Sequence, residues 1–185
     1  MENVLKIQNN AEFREWLEKH SAEETECWVV LRRGKPKDDG NFYYLDAVEA
    51  ALSFGWIDST QKIVDGVHYQ RFSPRKKNSP WSELNKERVR RLEKLGLMTD
   101  RGRAVLPDMG FVMDEDVRRA LLEAGVLEKL LEFPHLYVRV RTYNVAFFKK
   151  RDREAYERAL AHLIEETKKG KMYGEWNDYG RLLDY

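Results

Sequence analysis

Phe54–Asn85, FGWIDSTQKIVDGVHYQRFSPRKKNSPWSELN, holds one hairpin and one helix start, and the rest of the fold is arranged around them. Ile57–Val64 and Val67–Phe72 are rich in β-formers and flank Asp65-Gly66. Asp-Gly between such runs predicts a two-residue hairpin turn, because both central residues need positive φ. Further on, Ser79-Pro80 predicts a helix N-terminus, with the serine as cap and the proline at the first helical position. From there Trp81, Leu84, Val89, Leu92 and Leu95 fall within an arc of about 140° at helical spacing, and Gly96 closes the pattern.

Working outward toward the N-terminus, Leu45–Phe54 reads as a helix with Leu45, Val48, Ala51 and Leu52 on one side and Gly55 as its stop. Glu26–Arg33 reads as a strand through Trp28, Val29, Val30 and Leu31, followed by the loop GKPKDDG. Asn9 and Glu12 form a capping pair for a helix that buries Phe13, Trp16 and Leu17 and ends near His20. Toward the C-terminus, two or three short helices are expected between Thr99 and Glu132. His135–Phe148 fits either period, because Val138-Arg139-Val140-Arg141 alternates like a strand while Leu136, Val140, Tyr143 and Phe147 repeat like a helix. Glu154–Lys169 is helical, and the aromatic tail from Lys171 is too apolar to hang free, so it is expected to clasp the body. The whole predicts an α+β fold: a small antiparallel sheet packed by helices in residues 1–105, with a helical region, 106–185, docked on it.

Among 185 residues, Lys and Arg total 33 and Asp and Glu 32, a net charge of +1 that makes no global case for nucleic acid. The charge is uneven, however. Residues 71–103 carry 11 basic against 4 acidic side chains, and residues 134–153 carry 6 against 1. One cysteine, Cys27, excludes an internal disulfide and a multi-thiolate zinc site. The four histidines are scattered, with no HExxH, and the nucleophile-elbow, phosphate-loop and dinucleotide glycine motifs are all missing. No metal, cofactor or catalytic residue is therefore assigned. With no signal-length apolar segment and no run of about 20 apolar residues, the expected location is the cytoplasm and no membrane partner is expected.

The candidate site lies in the basic turn. Arg71, Arg75 and Lys76 supply cations, Ser73 and Ser79 supply hydroxyls beside the free N–H groups of the expected helix start, and Trp81 supplies a ring to stack on. Asp58, across the hairpin, would orient the arginines. The predicted partner is a small anionic or nucleotide-like ligand. The same composition also suits a solvated lysine-rich loop joining hairpin to helix. Two other functions fit the residues: a nucleic-acid-binding module using the two basic blocks, and an enzyme acting on a phosphorylated small molecule with Asp58 or His68 as base.

FREWLEKH at 13–20, LDAVEAALSFGWIDS at 45–59 and QRFSPRKKNSPWSELNKERVRRL at 70–92 resemble the YdeI/OmpD-associated (OmdA-like, "bacteriocin-protection") family of bacterial proteins, as do KKRDREAYERALAHLIEETKKGK and the tail. The positions matching its pattern are Gly55, Trp56, Asp58, Arg71, Phe72, Pro74, Arg75, Ser79, Trp81 and Ser82. The resemblance implies a small α+β protein and favours helix for His135–Phe148; the function expected first is that of a non-enzymatic, ligand-binding or stress-related bacterial protein. The chain departs from that pattern at Ala155-Tyr156-Glu157-Arg158, where many relatives carry arginines.

Overall fold

A computed structural model describes residues 3–185. It is α+β, and it divides into two compact units. One holds the chain through Pro80 together with Arg88–Asp108 and Tyr185; the other holds Trp81–Glu87 and Met109–Asp184.

The first unit is built on a four-stranded sheet of order β1-β2-β4-β3: β1 (Val4–Leu5), β2 (Cys27–Val30), β3 (Trp56–Val64) and β4 (Val67–Pro74). Three strands are antiparallel to their neighbours, and the short β1 joins β2 in parallel. Asp65 and Gly66 have φ of 49° and 76°, the doubly positive turn that Asp-Gly favours, and Val64 faces Val67 across it. Helix α1 (Asn10–His20) starts on the Asn9–Glu12 capping pair: the Asn9 side chain accepts from the Glu12 N–H, and Glu12 accepts from the Gln8 N–H. Phe13 of α1 meets Phe72 of β4 with ring centroids 5.3 Å apart. Cys27, Val29, Phe72, Phe13 and Leu17 are all fully buried, so one sheet face and α1 share a core. Helix α2 (Tyr44–Ser53) is buried along almost its whole length and ends at Gly55, φ 76°, where a Cβ would stand 3.0 Å from the Arg101 carbonyl oxygen.

Two expectations are corrected here, and one left open is decided. The strand expected over Glu26–Arg33 pairs over Cys27–Val30, after which Arg32 makes a single parallel bridge to Tyr43. Helix α3 (Glu83–Lys94) does not start at Ser79-Pro80. Ser79 N–H closes a turn on the Lys76 carbonyl, and the true cap is Ser82, whose Oγ accepts from the Asn85 N–H at 3.2 Å. His135–Phe148, which fitted either period and for which the resemblance favoured helix, is a helix. It is buried at Leu136 through Thr142 and again at Val145, and a helix covered on nearly all sides loses the clean stripe that sequence periodicity relies on. The short α4 (Asp100–Arg103) completes the first unit.

The second unit packs α5 (Glu115–Glu123), α6 (Leu127–Leu131), α7 (His135–Phe148) and α8 (Arg153–Lys168) around Val117, Leu121, Leu130, Tyr137 and Leu163. Within it Arg139 of α7 is buried and paired with Glu83 and Glu87. The tail lies on α7, with Leu182 against Leu136 and Val140, and Trp176 edge-on to Tyr137 at 5.5 Å. Among the described residues no helix is long and apolar enough to cross a membrane.

Candidate functional site

The expected convergence of Asp58 with the arginines of the basic turn does not form. In an antiparallel pair, residues directly opposite share a face and their neighbours take the other. Asp58 lies opposite Phe72 and so shares the core face, which sends Arg71 and Ser73 to the outer face. There Arg71 meets Glu26, with Nε to Oε2 at 2.7 Å, and Ser59 at 3.3 Å. Arg75 turns inward, is buried, and donates from Nη1 to the Pro80 carbonyl at 3.0 Å. Lys76 is exposed, and Ser79 is half-buried in the turn before the helix rather than at its end. Trp81 belongs to the second unit. Loss of a helix terminus at Ser79 also removes the free N–H groups that the anion site required.

Asp58 does organise an arginine, but a different one. Its Oδ2 accepts from the Tyr44 hydroxyl at 2.7 Å. Burial, and then the Asp58 charge and hydrogen bond, push the Tyr44 phenol up to about 12, so it stays a neutral donor. The Arg33 guanidinium stacks on the Tyr44 ring, 3.8 Å from its centroid. Arg33 Nη2 donates to Gln70 Oε1 at 2.7 Å and to Gln61 Oε1 at 3.1 Å, and the Gln61 amide nitrogen sits 2.8 Å from His68 Nδ1. Among the described residues, Arg33 Nε and Nη1 make no hydrogen bond.

A β-bulge makes this row possible. Asp58 pairs with Phe72 and Gln61 with Gln70, so three steps along β3 match two along β4. The extra residue brings Gln61 back to the face that Asp58 occupies; in a regular ladder it would point the other way.

Beside the row opens a cleft of about 610 Å³. Its lining includes Arg32, Arg33, His68, Gln8 and Asn41, with Val30 and Val67 on the apolar side, and among the described residues no carboxylate. Asp39 stands nearby, where its Oδ2 accepts from Tyr43 at 2.7 Å and lies 4.0 Å from Arg32. Sequence reasoning singled out Asp58 and noted His68 but missed Arg33, Tyr44, Gln61 and Gln70. A signal was there for Gln70: strand alternation places His68, Gln70 and Phe72 on one face, so polar residues share the face of a core phenylalanine.

Residues 5–105, over half the chain and including every residue of this row, match the family described as Domain of unknown function (DUF8412), and the chain belongs to it. No curated protein and no solved structure matches the chain.

Proposed function

We propose that this member of the DUF8412 family is a non-enzymatic binding protein of the cytoplasm, and that it takes a small anionic ligand in the first unit's cleft. One observation carries the reading: the cleft is lined by two arginines and a histidine with no carboxylate among them, and Arg33 is held from behind by Gln70, Gln61 and Tyr44. Donors fixed in advance lose less entropy on binding, and Arg33 keeps Nε and Nη1 for the ligand. The volume suits a ligand of metabolite size. The apolar wall at Val30 and Val67 gives such a ligand somewhere to lay a ring or a short chain.

The nucleic-acid alternative draws less support. Much of the basic charge it needs is spent on internal pairs, including Arg91 with Glu49, Arg103 with Glu93, and Arg139 with Glu83. For the enzymatic alternative, both proposed bases already hold a partner, Asp58 through Tyr44 and His68 through Gln61. The motif from Phe54 to Trp81 supports a proposed kinship with the YdeI/OmpD-associated proteins and their stress-related role. A sequence matching both families over the same residues would test it.

Calorimetry and thermal shift with sulfate, nucleotides and sugar phosphates test the binding reading. A ligand at 100 times its dissociation constant stabilises the fold by about 2.7 kcal/mol. Arg33→Ala is expected to abolish the shift, and Arg71→Ala, on the opposite sheet face, to leave it unchanged. The reverse pattern refutes this cleft.

A further inference from the structure

The hydrogen bonds around Gln61 fix where the proton on His68 sits. A guanidinium has donors and no acceptor. Arg33 Nη2, 3.1 Å from Gln61, therefore meets the carbonyl oxygen Oε1. That turns the amide nitrogen toward His68, whose Nδ1 is 2.8 Å away. An amide nitrogen donates, so in this hydrogen bond Nδ1 accepts, which a neutral ring does with its proton on Nε2. The cleft wall that carries His68 is shared with several elements. The residues following β2 bring Arg32 and Arg33, β3 brings Gln61, the segment before α1 brings Gln8, and the loop before α2 brings Asn41. None is acidic.

We infer that Gln61 is a proton-controlled latch on Arg33, a regulation of the cleft whose effect on binding rests on the anion reading above. A protonated imidazole carries N–H on both nitrogens. His68 Nδ1–H and the Gln61 amide would then face each other as two donors. A half-turn of the exposed Gln61 amide relieves this by offering Oε1 to His68, but it turns the nitrogen onto Arg33, donor against donor. Arg33 must then leave Gln61, keeping Gln70 and the Tyr44 ring as its tethers. Release from Gln61 loosens Arg33 only in part, since Gln70 and the Tyr44 ring still hold it, and the imidazolium adds a third positive charge at the cleft wall beside Arg32 and Arg33. Anion binding therefore strengthens when His68 is protonated, and by linkage a bound anion draws a proton onto His68.

Nitrogen-15 NMR of the full chain reads the latch without any ligand. At pH 8 His68 is expected as the Nε2–H tautomer, and the Arg33 side-chain resonances should move in step with its protonation. Gln61→Glu replaces the amide by a group that accepts from both neighbours, so the His68 titration should move to higher pH and the Arg33 resonances should no longer follow it. Sulfate, which keeps its charge throughout, probes binding: its affinity should rise about fivefold between pH 8 and pH 5.5, the worth of one hydrogen bond. An Nδ1–H tautomer at pH 8, or Arg33 resonances blind to the His68 titration, overturns the latch. Sulfate that fails to bind at either pH, with the NMR behaviour intact, overturns the anion reading and leaves the latch standing.

Discussion

Tyr44 shows how one side chain can serve two neighbours in different ways. Its hydroxyl donates to Asp58 while its ring carries the Arg33 guanidinium, so the carboxylate steadies the arginine at one remove. The two roles can be separated. Tyr44→Phe keeps the ring and removes the hydroxyl, leaving the half-buried Asp58 carboxylate without that donor. The expected cost is about 1–2 kcal/mol in stability, with sulfate affinity changed less than in Tyr44→Leu, which removes the ring as well. Urea denaturation and calorimetry on the two variants check this. Equal losses of affinity in both would mean that stacking does not position Arg33. Asp58 was legible as an orienting residue from its place at the mouth of the hairpin. Its true partner was not, because a bulge decides which residues of β3 share its face, and nothing in Asp58-Ser59-Thr60-Gln61 announces one.

Elements that carry local chemical signatures were readable, and those defined by tertiary burial were not. The Asp65-Gly66 turn, the Asn9–Glu12 cap and the glycine stops at Gly55 and Gly96 are short-range devices, and they work alike in a peptide and in a fold. The start of α3 misled because SPWS offers two serines, and the proline rule favoured the first. The backbone instead spends Ser79 and Pro80 on a turn that receives Arg75, and the helix begins three residues later at Ser82. Ser82→Ala is therefore expected to destabilise by about 1 kcal/mol and Ser79→Ala by under about 0.5 kcal/mol, read as shifts in the urea midpoint. The opposite ranking would restore Ser79 as the cap. Helix α4 supplies a sharper case. Thr99 binds the Ser53 carbonyl through both its N–H and its hydroxyl, drawing α4 so close to the end of α2 that a Cβ on Gly102 would stand 2.3 Å from the same oxygen. No rotamer relieves a clash with backbone. Gly102→Ala is expected to cost about 1–3 kcal/mol, and a thermal midpoint equal to the wild type would show that α4 can move away freely.

At the scale of the whole molecule, alkali is the condition that loads both units together. Burial, with Glu24 and Glu26 adding to it, pushes the Cys27 thiol up to about 12 from an ordinary 9.0. Tyr44, in the same unit, goes to about 12 from 10.0, and in the second unit burial carries Tyr173 to about 12 even though Arg141 pulls the other way. All three groups are neutral when protonated, and the folded chain holds those protons more tightly than the unfolded chain does. Their contribution is thus fully present below about pH 9, falls as pH climbs through the unfolded values, and is exhausted above about 12. Each pKa unit is worth at most about 1.4 kcal/mol, and solvent screening cuts the share of the partly exposed Tyr173 well below that, so the loss falls mainly on the unit that holds Cys27 and Tyr44. Urea denaturation at pH 8, 10 and 11.5 should show a midpoint that drops steeply between the last two points, with tyrosinate absorbance rising at the unfolding transition. Because Cys27 and Tyr44 sit in one unit and Tyr173 in the other, Tyr173→Phe should blunt the alkaline loss for probes in the helical unit and leave the sheet's response as it was. A midpoint that stays level from pH 8 to 11.5 would mean that these three side chains ionise as freely in the folded chain as in the unfolded one, and would overturn the assignment.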